Sequence, residues 1–246
     1  MNPNLAAGTA QIILNEVNSA SPSLLHGYVE TAGDRAQVII ANPAGVSCNG
    51  CGFINANRVT LTTGSPIMNN GNLDGYRVQS GIVSVEGDGL NSSQSDYTDI
   101  IARSVEVNAG VWANDLNVVA GANQVSTDLS QVTAIAGSGS ASSVAIDVAA
   151  LGGMYAGKIR LIGTQAGVGV RNAGNIGASV GELTLTADGK LINTGSIYAE
   201  GNATLSTGDD LTNQGIIAAQ GDLTLSGTGS ISHIDNTGSL IRSGGS

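Results

Sequence analysis

The chain has 246 residues with 19 acidic and 9 basic side chains, a net charge of −10, and it holds 36 Gly but only one Phe and one Trp. No Lys/Arg cluster offers the footprint that displaces counterions from a phosphate backbone, which argues against nucleic-acid binding, and no apolar run approaches the roughly 18 to 20 residues of a membrane span. An interior of Val, Ile, Leu and Ala suits a narrow tube of stacked small side chains better than a sandwich or barrel core.

Residues 1–35 hold Gln11-Ile-Ile-Leu14, a turn at Ser21-Pro22 and Tyr28-Val29 without a regular period, and read as a cap or an elaborated first coil. From 36 to 125 short strands recur (Gln37–Ala41, Arg58–Thr62, Tyr76–Val78, Ile82–Val85, Ser104–Val107, Leu116–Val119), punctuated by Asn/Gly/Asp turns. Residues 126–157, with the low-complexity run Gly137–Ser143, read as a loop leaving the regular body.

From 158 to 246 the pattern Asn-x-Gly-x-(Ile/Leu) starts at Asn172, Asn193, Asn213 and Asn236, in steps of 21, 20 and 23 residues. Leu183-Thr-Leu185, Ala203-Thr-Leu205 and Leu223-Thr-Leu225 repeat between them. A period near 20 with strands and no helical stripe predicts an all-β fold, a right-handed parallel β-helix of about ten coils with extra-helical β elements. Each coil stacks about 4.8 Å from the next, so only the stack makes a core. Leu185, Leu205 and Leu225 are expected in one buried column, and Asn172, Asn193 and Asn213 in an internal amide ladder.

Residues 36–64 read as a strand, a Pro-Gly turn, a tight Cys48-Asn-Gly-Cys51 turn and a second strand. Asn2-Pro3-Asn4-Leu5 and Asn42-Pro43-Ala44-Gly45-Val46 resemble the two Asn-Pro motifs of the secretion domain of two-partner-secretion exoproteins. This is the filamentous-haemagglutinin-like family that includes contact-dependent growth-inhibition effectors. The likeness continues through Gly75–Val78, Gly87-x-Gly89-Leu90, Asp96-Tyr97, Ala102-Arg103-Ser104 and Gly121-Ala122-Asn123. Ala44 stands where the family usually has Asn. The family's leader and early residues have no counterpart before Asn2, and no capping element follows the last repeat, so the chain reads as cut at both ends.

The resemblance implies a secretion domain over residues 1–125, an insertion at 126–157 and exchangeable shaft repeats over 158–246. It further implies export to the surface of a Gram-negative bacterium through the periplasm, with an outer-membrane β-barrel transporter as partner. That transporter's periplasmic domains would recognise Asn2, Pro3, Asn4, Leu5, Asn42, Pro43, Ala44 and Gly45, with receptors left to downstream regions. By their residue types alone, the Asn-Pro segments are also turn formers, with Asn42 on the solvent side of its turn.

In an exported protein Cys48 and Cys51 are expected to form a disulfide, with free thiols, a redox pair and zinc as the other readings. Gly152-x-x-x-x-Gly157-Lys158 nearly spells a phosphate loop, but Ile159 occupies the position that needs Ser or Thr. No cofactor is called for. Scattered carboxylates such as Asp96, Asp99, Asp209 and Asp210 read as solvated turn residues, so a non-enzyme is expected. A β-helical polysaccharide-degrading enzyme and a passive adhesin shaft are the rivals.

Overall fold

The structure, a computed structural model, describes residues 9–139, 143–165, 167, 169–227 and 233–245. Its body is a parallel β-helix in which each coil contributes to three strand stacks. The first stack is nine strands deep, from Ile12–Glu16 through Ala36–Ala41, Ala56–Thr62, Tyr97–Ala102, Asp115–Ala120, Lys158–Gly163, Leu183–Ala187 and Ala203–Thr207 to Leu223–Gly227. Among the described residues there are therefore nine coils, against about ten expected for the chain. Residues 9–35 hold the strands Ile12–Glu16 and Ser23–Glu30, both in parallel register with the second coil, so they form the first coil.

The second and third stacks are fused in the first three coils, where Ser23–Glu30, Val46–Ile54 and Ile82–Asn91 each turn the corner as one strand. From the fourth coil they separate into pairs such as Ser104–Val107 with Gly110–Trp112 and Leu191–Asn193 with Ser196–Ala199. Cys48 and Cys51 lie within the strand Val46–Ile54, where the register shifts between Asn49 and Cys51. The tight turn read from the sequence is a bulge: an inserted residue bends a strand without ending it.

Strict coil-to-coil register makes the core. Ile40, Leu61, Ile100, Val118, Leu161, Leu185, Leu205 and Leu225 form one column of paired positions. Leu185 and Leu205 are fully buried, whereas Leu225 is half-buried because no later described strand covers it.

The corner between the second and third stacks carries the amides. Asn172 Nδ2 donates to Asn193 Oδ1 at 2.8 Å, Asn193 Nδ2 to Asn213 Oδ1 at 2.7 Å, and Asn213 Nδ2 to Asn236 Oδ1 at 2.6 Å. Asn172, Asn193 and Asn213 are wholly buried. The other amide hydrogen of each bonds backbone carbonyls, for example Ser196 O from Asn172 and Ile216 O from Asn193, so the donors of the ladder are used. Its first acceptor, Asn172 Oδ1, has no partner, because Val148 occupies the same position one coil earlier.

A second layer lies outside the helix. Ser65–Asn69, Asn72–Val78, Asn123–Ser126 and Val132–Ala134 make an antiparallel four-stranded sheet that leaves the body in two excursions. It buries Ile39, Ala41, Ile101 and Val119 on the outer side of the first stack beneath its own Tyr76, Val78, Val125 and Leu129. Strands apolar on both sides are the mark of a sheet covered twice. The later strands of the same stack turn Thr and Ser outward instead, at Thr184, Thr186, Thr204 and Ser206. The second excursion is shorter than residues 126–157, since Val144–Val148 and Gly153–Ala156 are already ordinary coil strands.

Two consequences are measurable. Val148→Thr adds a hydroxyl that can donate to the orphan Asn172 Oδ1, whereas Val107→Thr in the same column adds one with no such acceptor. Urea unfolding should find Val107→Thr less stable than Val148→Thr by about 1 to 2 kcal/mol. Burial pushes the Tyr76 hydroxyl up to about 12, outweighing the pull of the Thr60 hydroxyl and of Arg58. The unfolded chain ionises this group near 10, so it binds fewer protons than the folded chain between those values. Stability should be intact below pH 10 and fall by about 2 kcal/mol as pH approaches 12. Tyr76→Phe should flatten that decline in denaturant titrations across the same range.

Candidate functional site

The Asn42–Gly45 segment joins the first and second stacks of the second coil and is clamped on both sides. Asn42 Nδ2 donates to Ser21 O at 3.0 Å and Ser23 Oγ at 2.9 Å in the coil before, while its Oδ1 accepts the Ala44 N–H at 2.9 Å. The Gly45 N–H closes the turn on Asn42 O at 3.0 Å. On the other side Gly81 packs so closely that an added Cβ would stand 2.6 Å from Pro43 O. Gly45 has φ +129° and a Cβ there would sit 3.1 Å from Ile82 O, so the turn demands glycine.

Asn42 is 0% exposed, which corrects its placement on the solvent side of the turn. Its amide reaches nothing outside the fold; it works as a bolt between coils. Ala44 is half-buried and contributes only its backbone N–H to the turn, so replacing the family's usual Asn leaves the turn's own hydrogen bonds in place. Asn2, Pro3, Asn4 and Leu5 lie outside the described residues.

Beside this turn runs an open groove of about 700 Å³ along the outside of the second stack, flanked by Pro22, Leu24, Ala44, Ile82 and Arg103. Leu24 is 67% and Ile82 45% exposed. Arg103 is buried at its edge; Nη1 donates to Gln79 O at 3.2 Å, and Nε has no partner. Glu86 and Glu106 line the same groove. Sequence reasoning missed this surface, because residues 22, 24, 82 and 103 meet only through the coil register; the outward Leu24 and Ile82 in otherwise alternating strands were its available signal.

Cys48 and Cys51 form a disulfide with Cα atoms 5.4 Å apart, and both residues are buried. The carboxylates named from the sequence do not converge. Asp99 is buried, accepting Arg58 Nε at 2.6 Å and Asn117 Nδ2 at 3.1 Å, which corrects its reading as a solvated turn residue. Burial pulls the Arg58 guanidinium down, but the hydrogen bond and charge of Asp99 outweigh it, so its pKa rises. Asp96 pairs with Arg35 in the same region, whereas Asp210 faces Lys190 and His233 four coils further on. Among the described residues no group of three or more His, Cys, Asp or Glu could hold a metal ion.

Asn42→Ala removes three hydrogen bonds, to Ser21 O, Ser23 Oγ and the Ala44 N–H, and leaves a hole where a buried side chain stood, so it should lower stability by about 2 kcal/mol. Ala44→Asn should change it by no more than about 0.5 kcal/mol. Urea denaturation of both variants measures the contrast.

Comparisons with known proteins agree with this architecture. Residues 3–193 match the TPS secretion domain and residues 178–246 the haemagglutinin repeat. The chain is 60% identical over 197 residues to "Toxin CdiA" of Yersinia pestis, covering 80% of this chain and 6% of that protein. It is 53% identical over 193 residues to "16S rRNA endonuclease CdiA" of Enterobacter cloacae, covering 78% of this chain and again 6% of the relative. The crystal structure of the filamentous haemagglutinin secretion domain superposes with a TM-score of 0.75 at 34% identity, over 99% of this chain and 75% of that one. The aligned part of each CdiA relative is so small a share that the nuclease activity in one name is a statement about that protein alone. The chain belongs to the TPS secretion-domain family, the export region of large proteins secreted to the surface of Gram-negative bacteria.

Proposed function

We propose that this chain acts without catalysis, as the export-recognition and folding-template region of a CdiA-like surface protein. In this reading the groove beside Pro43, Ala44 and Gly45 is the surface that the periplasmic domains of the partner outer-membrane transporter engage. Its support is the placement of exposed Leu24 and Ile82 on either side of a turn that is bolted to both neighbouring coils. Asn42 serves by holding that turn, with Asn2, Pro3, Asn4 and Leu5 as a second recognition element. This reading puts recognition within 1–125 and shaft over 158–246; between them the excursion that begins with Asn123–Ser126 ends before the coil strands Val144–Val148 and Gly153–Ala156.

The shaft explains how export needs no chemical energy source at the outer membrane. Each strand pairs with its equivalents one coil away, so a segment emerging outside finds its template in the coil already folded. Stepwise burial then biases transport outward. The rival enzyme reading requires carboxylates brought together around a substrate cleft, and the named ones are dispersed.

The test compares secretion by the intact protein and its transporter. Leu24→Glu with Ile82→Glu alters two exposed side chains, leaves the core untouched and should reduce secretion at least tenfold. Deleting Leu185 through Thr204 joins Thr184 to Leu205 in register, since Thr184 pairs with Thr204, and should leave secretion unchanged. Normal secretion of the double variant, or loss on deleting the coil, would refute the assignment.

A further inference from the structure

The chain has seven aromatic residues, and four of them occupy one outward column of the third stack. That column runs Tyr28, Gly52, Asn91, Trp112, Tyr155, Gly177, Tyr198, Ala218. Burial in a tube this narrow would favour scattering large rings over covered faces; here they are aligned, with Tyr28, Trp112 and Tyr155 exposed and Tyr198 half-buried. Trp112 and Tyr155 are 42% and 40% exposed and stack with centroids 6.3 Å apart and planes 20° apart.

Glycines make room for two of the rings. A Cβ on Gly110 would lie 2.3 Å from the Trp112 ring, and one on Gly153 would lie 2.6 Å from the Tyr155 ring. Each ring thus lies over the glycine two residues before it, in space that a Cβ would otherwise fill. Gly177 differs. Its added Cβ would meet nothing nearer than Tyr155 Cδ1 at 3.9 Å, an ordinary contact, and its φ is not positive. Neither backbone conformation nor packing requires glycine there, in a strand that glycine weakens. A strand glycine without an internal reason marks a place where something from outside approaches the backbone. It leaves a slot one coil wide between Tyr155 and Tyr198, within a groove of about 390 Å³ backed by Trp112.

The rim of the slot fixes the chemistry of the occupant. Tyr198 Oη donates to Glu200 Oε1 at 3.0 Å and accepts from Gln220 Nε2 at 2.6 Å, so a carboxylate sits at the hydroxyl end of the Tyr198 ring. Ring faces carry negative charge and attract C–H groups, while the carboxylate accepts from hydroxyls and repels anions. The chain's net charge of −10 repels polyanions further. A flat unit with C–H groups on its face and hydroxyls on its edge is a pyranose. Successive pyranoses of an extended glycan are spaced close to the coil rise, so a repeating ligand matches the repeating lattice. We propose that the slot over Gly177 between Tyr155 and Tyr198 binds a neutral, extended glycan lying along the column, an activity separate from export.

Trp112 is the sole tryptophan and reports on the site directly. Titrating the purified 246-residue chain with cellohexaose, with heparin as the anionic comparison, reads Trp112 emission and calorimetric heat together. The expected result is saturable binding of cellohexaose and none of heparin. Gly177→Ile fills the slot with a better strand former, so it should weaken binding at least tenfold while the melting temperature holds or rises; Tyr198→Ala should also weaken it at least tenfold. No heat and no emission change with cellohexaose, equal binding by Gly177→Ile, or preference for heparin would each overturn the proposal.

Discussion

Everything in this molecule depends on parallel pairing between equivalent residues of successive coils. Because position n of one strand faces its counterpart in the next, each side chain has neighbours above and below chosen by its column. An apolar column becomes core, an amide column becomes a ladder, and an outward column of mixed type becomes surface. No coil can be judged alone, since the neighbours that bury Leu185 or satisfy Asn193 are supplied by adjacent coils.

The corner between the second and third stacks shows how one position accepts different chemistry. The Cys48 column passes through Val85, Val107 and Val148 before reaching Asn172, Asn193 and Asn213. Early in the stack the corner is tied by a covalent bridge to Cys51, then filled by branched apolar side chains, and finally stitched by amides. Other corners use asparagine on the preceding coil: Asn55 Nδ2 donates to Thr31 O, and Asn114 Nδ2 to Ser93 O and Ser95 O. Asn42 belongs to this group by geometry. A motif residue thus has a structural reason for its identity before any partner is considered.

The parallel β-helix was legible because the late coils repeat at nearly constant length, and a change of one residue would turn every side chain of a strand to the opposite face. The early coils were harder. Their strands were visible, but Tyr76–Val78 carries the same alternation as a coil strand, and antiparallel pairing with Ser65–Asn69 and Asn123–Ser126 places it in the outer layer. The bulge at Cys48–Cys51 was read as a turn because Asn-Gly favours turns wherever the flanking chain does not demand continuity. The groove beside Pro43 and the aromatic column were illegible for one shared reason: their members lie about one coil or more apart in sequence and become neighbours only once every coil's length and excursion is known.

The Cys48–Cys51 bridge has a further consequence, for how the molecule responds to force. It spans a sequence separation of three and is the only disulfide among the described residues, so among them no disulfide cross-links one coil to another. A pull on the C-terminal end meets only the hydrogen bonds and packing of the outermost coil, and that coil can peel away while those beneath it stay folded. The rupture should recur at the length of one coil until it reaches the outer sheet, where pairing of Asn123–Ser126 with Asn72–Val78 bridges the third coil to the fifth. There the unravelling must break two coils' worth of contacts at once, which makes the early part of the chain a mechanical stop.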